Sequence, residues 1–386
     1  MIPMSCPVCT STDLLGIFQK DAMPCYNLER HPSRASALAA RSGRIDSKFC
    51  RSCGFTFNAA FDASIMNYQV DYENSRSHSP RYRAYIEHIA QYVSSHVPAD
   101  AKHIVEVGCG GAEFLEALRP HVSAELWGYD PAIPTEVTEL EGIHLVRDYY
   151  MPNDAPPTPD MLVLRHTLEH IANPYTFLRS LIPPDGQKPL LYIEVPAWEW
   201  IAERHSFYSF SYEHCSYYSR RAMAHMLAQL GYRVRECEFD FDGEYIRCIA
   251  EAGDEQSTRI PLGALQDQSE RFAKALPSLV KNMRCMFTEK SALWGAAGKG
   301  TTLLNLIDAM YTDTPVVIDS SPRRAHTFIP RTGQEVILPS DIKRDTTDRI
   351  LLTNSAYKDE MAASLALLDL HPEIVGLDEY LYRSVT

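Results

Sequence analysis

Four thiols stand in two tight pairs, Cys6-Pro7-Val8-Cys9 and Cys50-Arg51-Ser52-Cys53, and Gly54 follows the second pair. Sulfurs two residues apart can grip one ion from a single knuckle. Two such knuckles supply the four thiolates of a tetrahedral Zn²⁺ site. Forty residues separate the pairs, so a loop must be inserted between the knuckles. Four sulfurs leave no coordination position open for catalysis. The spacing therefore predicts a structural zinc held by Cys6, Cys9, Cys50 and Cys53, against the alternative of reduced thiols without metal. The other six cysteines are scattered, which fits reduced thiols better than a disulfide framework.

A second group begins in Ile104-Val105-Glu106-Val107, runs through Gly108-Cys109-Gly110-Gly111, and continues into a stretch carrying Phe114 and Leu115. This reads as strand, glycine turn and helix, with the glycines letting backbone approach a ligand. Asp130 ends the next strand, 20 residues after Gly110. Its two oxygens can take the vicinal hydroxyls of a ribose. The Gly/Asp spacing also fits a nicotinamide dinucleotide, but Glu113 stands where the third glycine of G-x-G-x-x-G belongs. The acidic residue directly before the turn resembles the first motif of class I S-adenosylmethionine-dependent methyltransferases. That resemblance implies a cofactor site made of Glu106 at the methionine end, Gly108, Gly110 and Asp130.

Two histidine-bearing segments follow. Arg165-His166-Thr167-Leu168-Glu169-His170 comes after a third strand, where strand ends face the ligand crevice. His166 is accordingly placed with the cofactor-binding residues. His166 and His170 share one face if the segment is helical, but the glutamate order is wrong for a zincin. The stretch Phe210-Ser211-Tyr212-Glu213-His214-Cys215-Ser216-Tyr217-Tyr218-Ser219 crowds a carboxylate, an imidazole and phenols together. A neighbouring carboxylate raises a histidine pKa or orients its ring. Ser219 reads as the cap of a helix over 220–230. Lastly, Gly295-Ala296-Ala297-Gly298-Lys299-Gly300 opens another helix after a strand and offers N–H groups and a lysine to an anion. It is too short for G-x4-G-K, so ATP hydrolysis is not expected. Anion capture by Gly298 and Lys299 and plain packing both remain open.

The elements that must position these groups alternate between strand and helix. Strands are expected at 103–107, 125–129, 161–164 and 190–195, and a helix at 81–96 with Tyr85, Ile86, Ile89, Tyr92 and Val93 on one face. The composition shifts to polar at 251–258. A long helical pattern over 265–290 then leads to strands ending in Trp294 and Asp319, and another at 349–352. The pattern is α/β, with a doubly wound parallel sheet. It divides into a loop-rich zinc-binding module (1–66), a cofactor sheet (67–255) and a linker helix with a second Rossmann-like lobe (256–386).

The chain has 386 residues, with 37 Lys+Arg against 50 Asp+Glu and a net charge of −13. Hydrophobic residues form 45% and charged residues 23%, the balance of a globular protein rather than a disordered one. The acidic balance argues against nucleic acid as a partner, which needs a basic face. No apolar run approaches the ~18–20 residues of a membrane span, and no signal peptide is evident. The expected setting is cytoplasmic, with a small-molecule substrate. Oligomeric state is not readable.

Taken in order, the knuckles, the Glu106–Gly110 turn, the Glu213-His214 stretch and the Gly295–Gly300 turn resemble a three-part bacterial methyltransferase family. Its best-known members are C-methyltransferases of nucleotide-linked keto-deoxysugars. The resemblance spans essentially the whole chain, and the second Rossmann-like lobe is its most family-specific part. It implies S-adenosylmethionine as cofactor, a structural zinc, and a nucleotide-linked or related small metabolite as substrate. His214 then corresponds to the general base, with Glu213 beside it. His170 and Tyr72 (or Tyr68) correspond to enolate-stabilising groups; Tyr212, Gly298 and Lys299 are placed with the substrate-binding positions. The family's leading tyrosine in the Tyr-His-Glu-His segment is Ser211 here, and its first histidine is Tyr212. O- or N-methylation of a small natural-product or phosphorylated substrate is the alternative.

Overall fold

Three sheets follow one another along the chain, and the second strand of the first shows why they form. The computed structural model describes residues 4–66, 79–134, 137, 140–152, 158–183, 186–254, 261–314, 316–343 and 347–385. The N-terminal strands are β1 (Leu14–Pro24), β2 (Ser42–Cys50) and β3 (Thr56–Asn58). In β2, Ile45, Ser47 and Phe49 point inward and alternate with the paired Asp46 and Lys48, the period-2 pattern of a half-buried strand. The module was expected to be loop-rich. Instead β1 and β2 form a long antiparallel hairpin with register shifts after Gly16 and Lys20. Bulges and a buried serine hide its alternation from a periodicity reading.

The central strands are β4 (His103–Val107), β5 (Glu125–Tyr129), β6 (Ile143–Val146), β7 (Met161–Arg165), β8 (Leu190–Pro196), β9 (Ser216–Tyr217), β10 (Tyr232–Asp240) and β11 (Tyr245–Ala252). Seven of them form a sheet ordered β10-β11-β8-β7-β4-β5-β6. Only β11 runs antiparallel to its neighbours, which is the class I methyltransferase arrangement. Strands β7 and β8 are buried almost throughout, as expected where helices cover both faces. The short β9 leaves this sheet and pairs with β3 instead, Thr56 opposite Tyr217 and Phe57 opposite Ser216. The N-terminal sheet, β1-β2-β3-β9, is thus completed by the segment that follows His214.

The last strands are β12 (Ser291–Trp294), β13 (Val316–Ile318), β14 (Glu335–Ile337), β15 (Arg349–Leu352) and β16 (Glu373–Gly376). They form an all-parallel sheet ordered β14-β13-β12-β15-β16, a second Rossmann-like unit. The connecting helix, Gly263–Arg284, ties the parts together. Its Ser269 Oγ accepts from Trp198 Nε1 at 3.0 Å, and its Gln266 donates to the Arg51 carbonyl. Trp198 is fully buried, its ring packed against Phe49, Phe210, Tyr217 and Phe272. One apolar core therefore joins residues of all three sheets. No helix among the described residues is long and apolar enough to cross a membrane.

Candidate active site and thiolate cluster

The Sγ atoms of Cys6, Cys9, Cys50 and Cys53 lie within 4.8 Å of one another. Cys6–Cys53 are 3.6 Å apart and Cys9–Cys50 3.5 Å. Zn–S bonds of about 2.3 Å in a tetrahedron imply S···S edges of about 3.8 Å, so the cluster has the dimensions of a zinc site. Cys50 ends β2, and its N–H bonds to the Phe55 carbonyl in the tight turn at Gly54.

At the C-terminal ends of β4 and β5, Gly108 has φ +80° and Gly110 φ +52°. A Cβ on Gly108 would collide with Thr167 Oγ1, so the turn requires glycine there. The N–H groups of Gly110 and Ala132 bond the two oxygens of Asp130, at 2.9 and 2.7 Å. Each oxygen keeps a second lone pair that a ribose hydroxyl could use. Glu106 is buried and its Oε2 has no hydrogen-bond partner. Burial pushes its carboxyl up to about 8, against the pull of Arg165. An orphaned buried acid beside an open glycine turn suits the cationic methionine end of S-adenosylmethionine.

Behind the turn is a polar ladder. Arg165 and Glu194 face each other across β7 and β8, with Nη2–Oε1 at 2.9 Å, and Tyr192 donates to Glu194 at 2.7 Å. The Arg165 guanidinium stacks 4.8 Å over Phe114. His166 lies between two carboxylates, Nε2 3.0 Å from Glu194 Oε1 and Nδ1 3.3 Å from Glu169 Oε1. Burial disfavours its charge, but those carboxylates prevail and raise it to about 9.

A shared face for His166 and His170 depended on the segment being helical, and it is not. His166 has φ +51°, and only a single 3₁₀ turn, Leu168–His170, follows. His166 therefore turns toward Glu194, while His170 meets His214 edge to face, ring centres 4.9 Å apart. Glu169, His170 and His214 place their ligand-type atoms within 4.8 Å of one another. Glu213 is buried, and its Oε1 accepts the Asn27 N–H at 3.1 Å. Tyr212 faces the N-terminal module, its hydroxyl accepting from the Asp62 N–H at 2.9 Å and its ring against Phe61. Tyr68 and Tyr72 lie outside the described residues. Ser219 caps the helix Arg220–Gln229, accepting from the Ala222 N–H.

The second glycine turn repeats the first in detail. Gly295 N–H bonds the Ile318 carbonyl, and Ala296 and Ser321 bond Asp319, as Gly108, Gly110 and Ala132 do with Tyr129 and Asp130. Lys299 is committed elsewhere. It pairs with Glu244 at 2.7 Å and lies 4.6 Å over the Trp200 ring. Gly298, at φ +51°, accepts the Thr302 hydroxyl on its carbonyl.

Three buried residues of this region were not read from sequence as site members: Glu169, Glu194 and Asn27. Glu194 had a signal, since it is the one charge in the apolar run Leu190–Val195, and strands buried on both faces tolerate charge only when it is paired. Asn27 had none, because its partners come from distant parts of the chain.

Residues 78–236 match a family described as Methyltransferase domain, and residues 250–369 one described as C-methyltransferase C-terminal domain. No curated protein matches the chain. Solved structures with partial similarity include a Burkholderia thailandensis 1,6-didemethyltoxoflavin-N1-methyltransferase bound to S-adenosylhomocysteine. It is 12% identical, covering 46% of this chain and 83% of that one, at a TM-score of 0.35. Magnesium protoporphyrin IX methyltransferase from Synechocystis PCC 6803 is 8% identical, covering 45% and 84%, at 0.35. Mitomycin 7-O-methyltransferase is 15% identical, covering 44% and 55%, at 0.35.

Proposed function

We propose that this chain, whose residues 78–236 match a methyltransferase domain and residues 250–369 a C-methyltransferase C-terminal domain, is an S-adenosylmethionine-dependent enzyme that methylates a carbon next to a carbonyl. The acceptor in this reading is a nucleotide-linked keto-sugar or a related small metabolite. The observation that carries it is the His170–His214 pair, two imidazoles 4.9 Å apart beyond the ends of the parallel strands.

In this reading His214 removes a proton from the carbon next to the carbonyl. His170 donates a hydrogen bond to the developing enolate oxygen. The enolate carbon attacks the methyl in line, the S–CH₃ bond breaks, and S-adenosylhomocysteine leaves with the sulfur electron pair. Glu106 and Asp130 hold the donor at its two ends. The four cysteines hold a structural zinc, with no part in these steps. The setting is a cytoplasmic one.

Removing a general base typically costs about 10²–10⁴ in rate. His214→Ala is therefore expected to lose turnover with a labelled methyl donor while S-adenosylhomocysteine binds as before; unchanged turnover overturns the assignment. Deuterium washout from the acceptor carbon in D₂O separates carbon from oxygen or nitrogen acceptors, since only the first requires that C–H bond to break.

A further inference from the structure

Glu169 sits in the turn after β7 and is about 1% exposed. Its Oε1 faces His166 Nδ1 at 3.3 Å. Its Oε2 is buried and has no hydrogen-bond partner. The same side chain brings a carboxylate oxygen within 4.8 Å of both His170 and His214 ligand nitrogens. A buried carboxylate with one oxygen anchored and the other unsatisfied is costly unless a charge or donor faces it.

We propose that Glu169 is the positioning residue of the base, locked by His166 on one oxygen and presenting the other to the His170–His214 pair. The inference rests on the C-methyltransferase reading of that pair. It adds Glu169 as a counter-charge to the adjacent Glu213, whose Oε1 accepts the Asn27 N–H. When His214 accepts the substrate proton, the new imidazolium forms beside a carboxylate already in place. That is the preorganised arrangement that lowers a barrier without reorganisation.

The surroundings keep this carboxylate ionised. Burial pushes it up, but His166, His170 and His214 together hold it below the usual carboxylate range. The other acidic groups nearby do not compete for the role. Burial pushes the Cys215 thiol up to about 12 and the Tyr217 and Tyr218 phenols well up, so all three stay neutral. Glu194 is paired with Arg165.

The test compares Glu169→Gln, which keeps shape and loses charge, with Glu169→Asp, which keeps charge and loses a methylene. A charge role predicts that Gln lowers kcat about 10- to 100-fold with the KM for S-adenosylmethionine within about twofold, and that Asp recovers most of it. A packing role predicts the opposite order, Gln near wild type and Asp impaired, and that order overturns the proposal. A second readout needs no acceptor: ¹⁵N-histidine spectra of the S-adenosylhomocysteine complex. The ring signals of His170 and His214, assigned with His170→Gln and His214→Gln, are expected to move in Glu169→Gln and to stay in Glu169→Asp. If they stay put in both, Glu169 does not position the pair. If they move while no acceptor shows deuterium washout, the carbon-methylation reading fails and the positioning role stands.

Discussion

The backbone N–H of Asn27 donates to Glu213 Oε1 at 3.1 Å, while its side-chain amide donates to Thr302 Oγ1 at 2.8 Å. Thr302 in turn donates to the Gly298 carbonyl at 2.9 Å. One residue of the N-terminal module therefore links the segment carrying His214 to the glycine turn of the C-terminal lobe. Lys20–Asp308 at 2.7 Å and Arg34 Nε to the Gly333 carbonyl at 3.0 Å fasten the same two parts farther out.

Asn27→Ala removes the amide–hydroxyl bond and keeps the backbone bond to Glu213. A buried neutral hydrogen bond contributes about 0.5–1.5 kcal/mol net, and Thr302 keeps its bond to Gly298. A loss of about 1 kcal/mol in urea unfolding is expected, with S-adenosylhomocysteine affinity unchanged in calorimetry. A loss near zero would mean that the modules are not coupled through this side chain.

Lys299 gives a sharper contrast, because anion capture and interdomain packing predict different outcomes. Glu244 takes Lys299 on Oε1 and Asn354 Nδ2 on Oε2, both at 2.7 Å, and it is almost fully buried. Removing the lysine leaves that carboxylate with a single neutral donor. Lys299→Ala is expected to destabilise the protein by about 1–3 kcal/mol without any ligand present. If Lys299 instead served only a bound anion, unfolding of the ligand-free protein would not change.

The thiolate cluster and the histidine pair are mechanically connected. Cys50 ends β2, β2 pairs with β3, and β3 pairs with β9, which begins two residues after His214. Loss of the proposed zinc should therefore loosen the strand that follows His214. Metal analysis is expected to give about one zinc per chain. Chelation should lower the melting temperature and methyl transfer together, with both restored by added zinc. Full activity in zinc-free protein would sever this connection.

Much of this architecture was legible because it depends on local rules. A buried run such as Ile104–Val107 before a glycine turn, and Asp130 at the next strand end, follow from the sheet's own geometry. The cysteine knuckles follow from coordination geometry. The pairing of His170 with His214 came only through the family resemblance and not from local rules, because it depends on a left-handed His166 that ends any helical phase, and on β9 crossing to another sheet. Lys299 stayed open between anion capture and packing for a related reason. A lysine at a glycine turn is ready for an anion, and only the tertiary fold reveals that the anion is Glu244.

Glu106 supplies a prediction about protons rather than rates. With its carboxyl pushed up to about 8 by burial, most of the ligand-free protein carries it neutral at pH 7. A cationic methionine end favours the ionised form. Binding of S-adenosylmethionine at pH 7 should thus release about half to one proton, and affinity should weaken as pH falls below about 8. Titration calorimetry in buffers of different ionisation enthalpy measures this directly. Glu106→Gln should abolish the buffer dependence, and a wild-type protein without it would remove Glu106 from the donor site.

His166 makes a prediction of opposite sign about stability. Despite burial, Glu169 and Glu194 raise its folded pKa from 6.5 to about 9. The folded state therefore binds the proton more tightly than the unfolded chain does. The resulting stabilisation is fully present below about pH 6.5 and is lost as pH rises through about 9. Other groups titrate in that range, so the informative quantity is a difference. Urea unfolding of wild type and His166→Gln between pH 6 and 10 should show a gap that narrows steadily above neutrality. Arg165 keeps Glu194 paired in both proteins, so the narrowing reports His166 itself. A gap independent of pH would mean that the imidazole is neutral between its two carboxylates, and that hydrogen bonding rather than charge holds Glu169 in place.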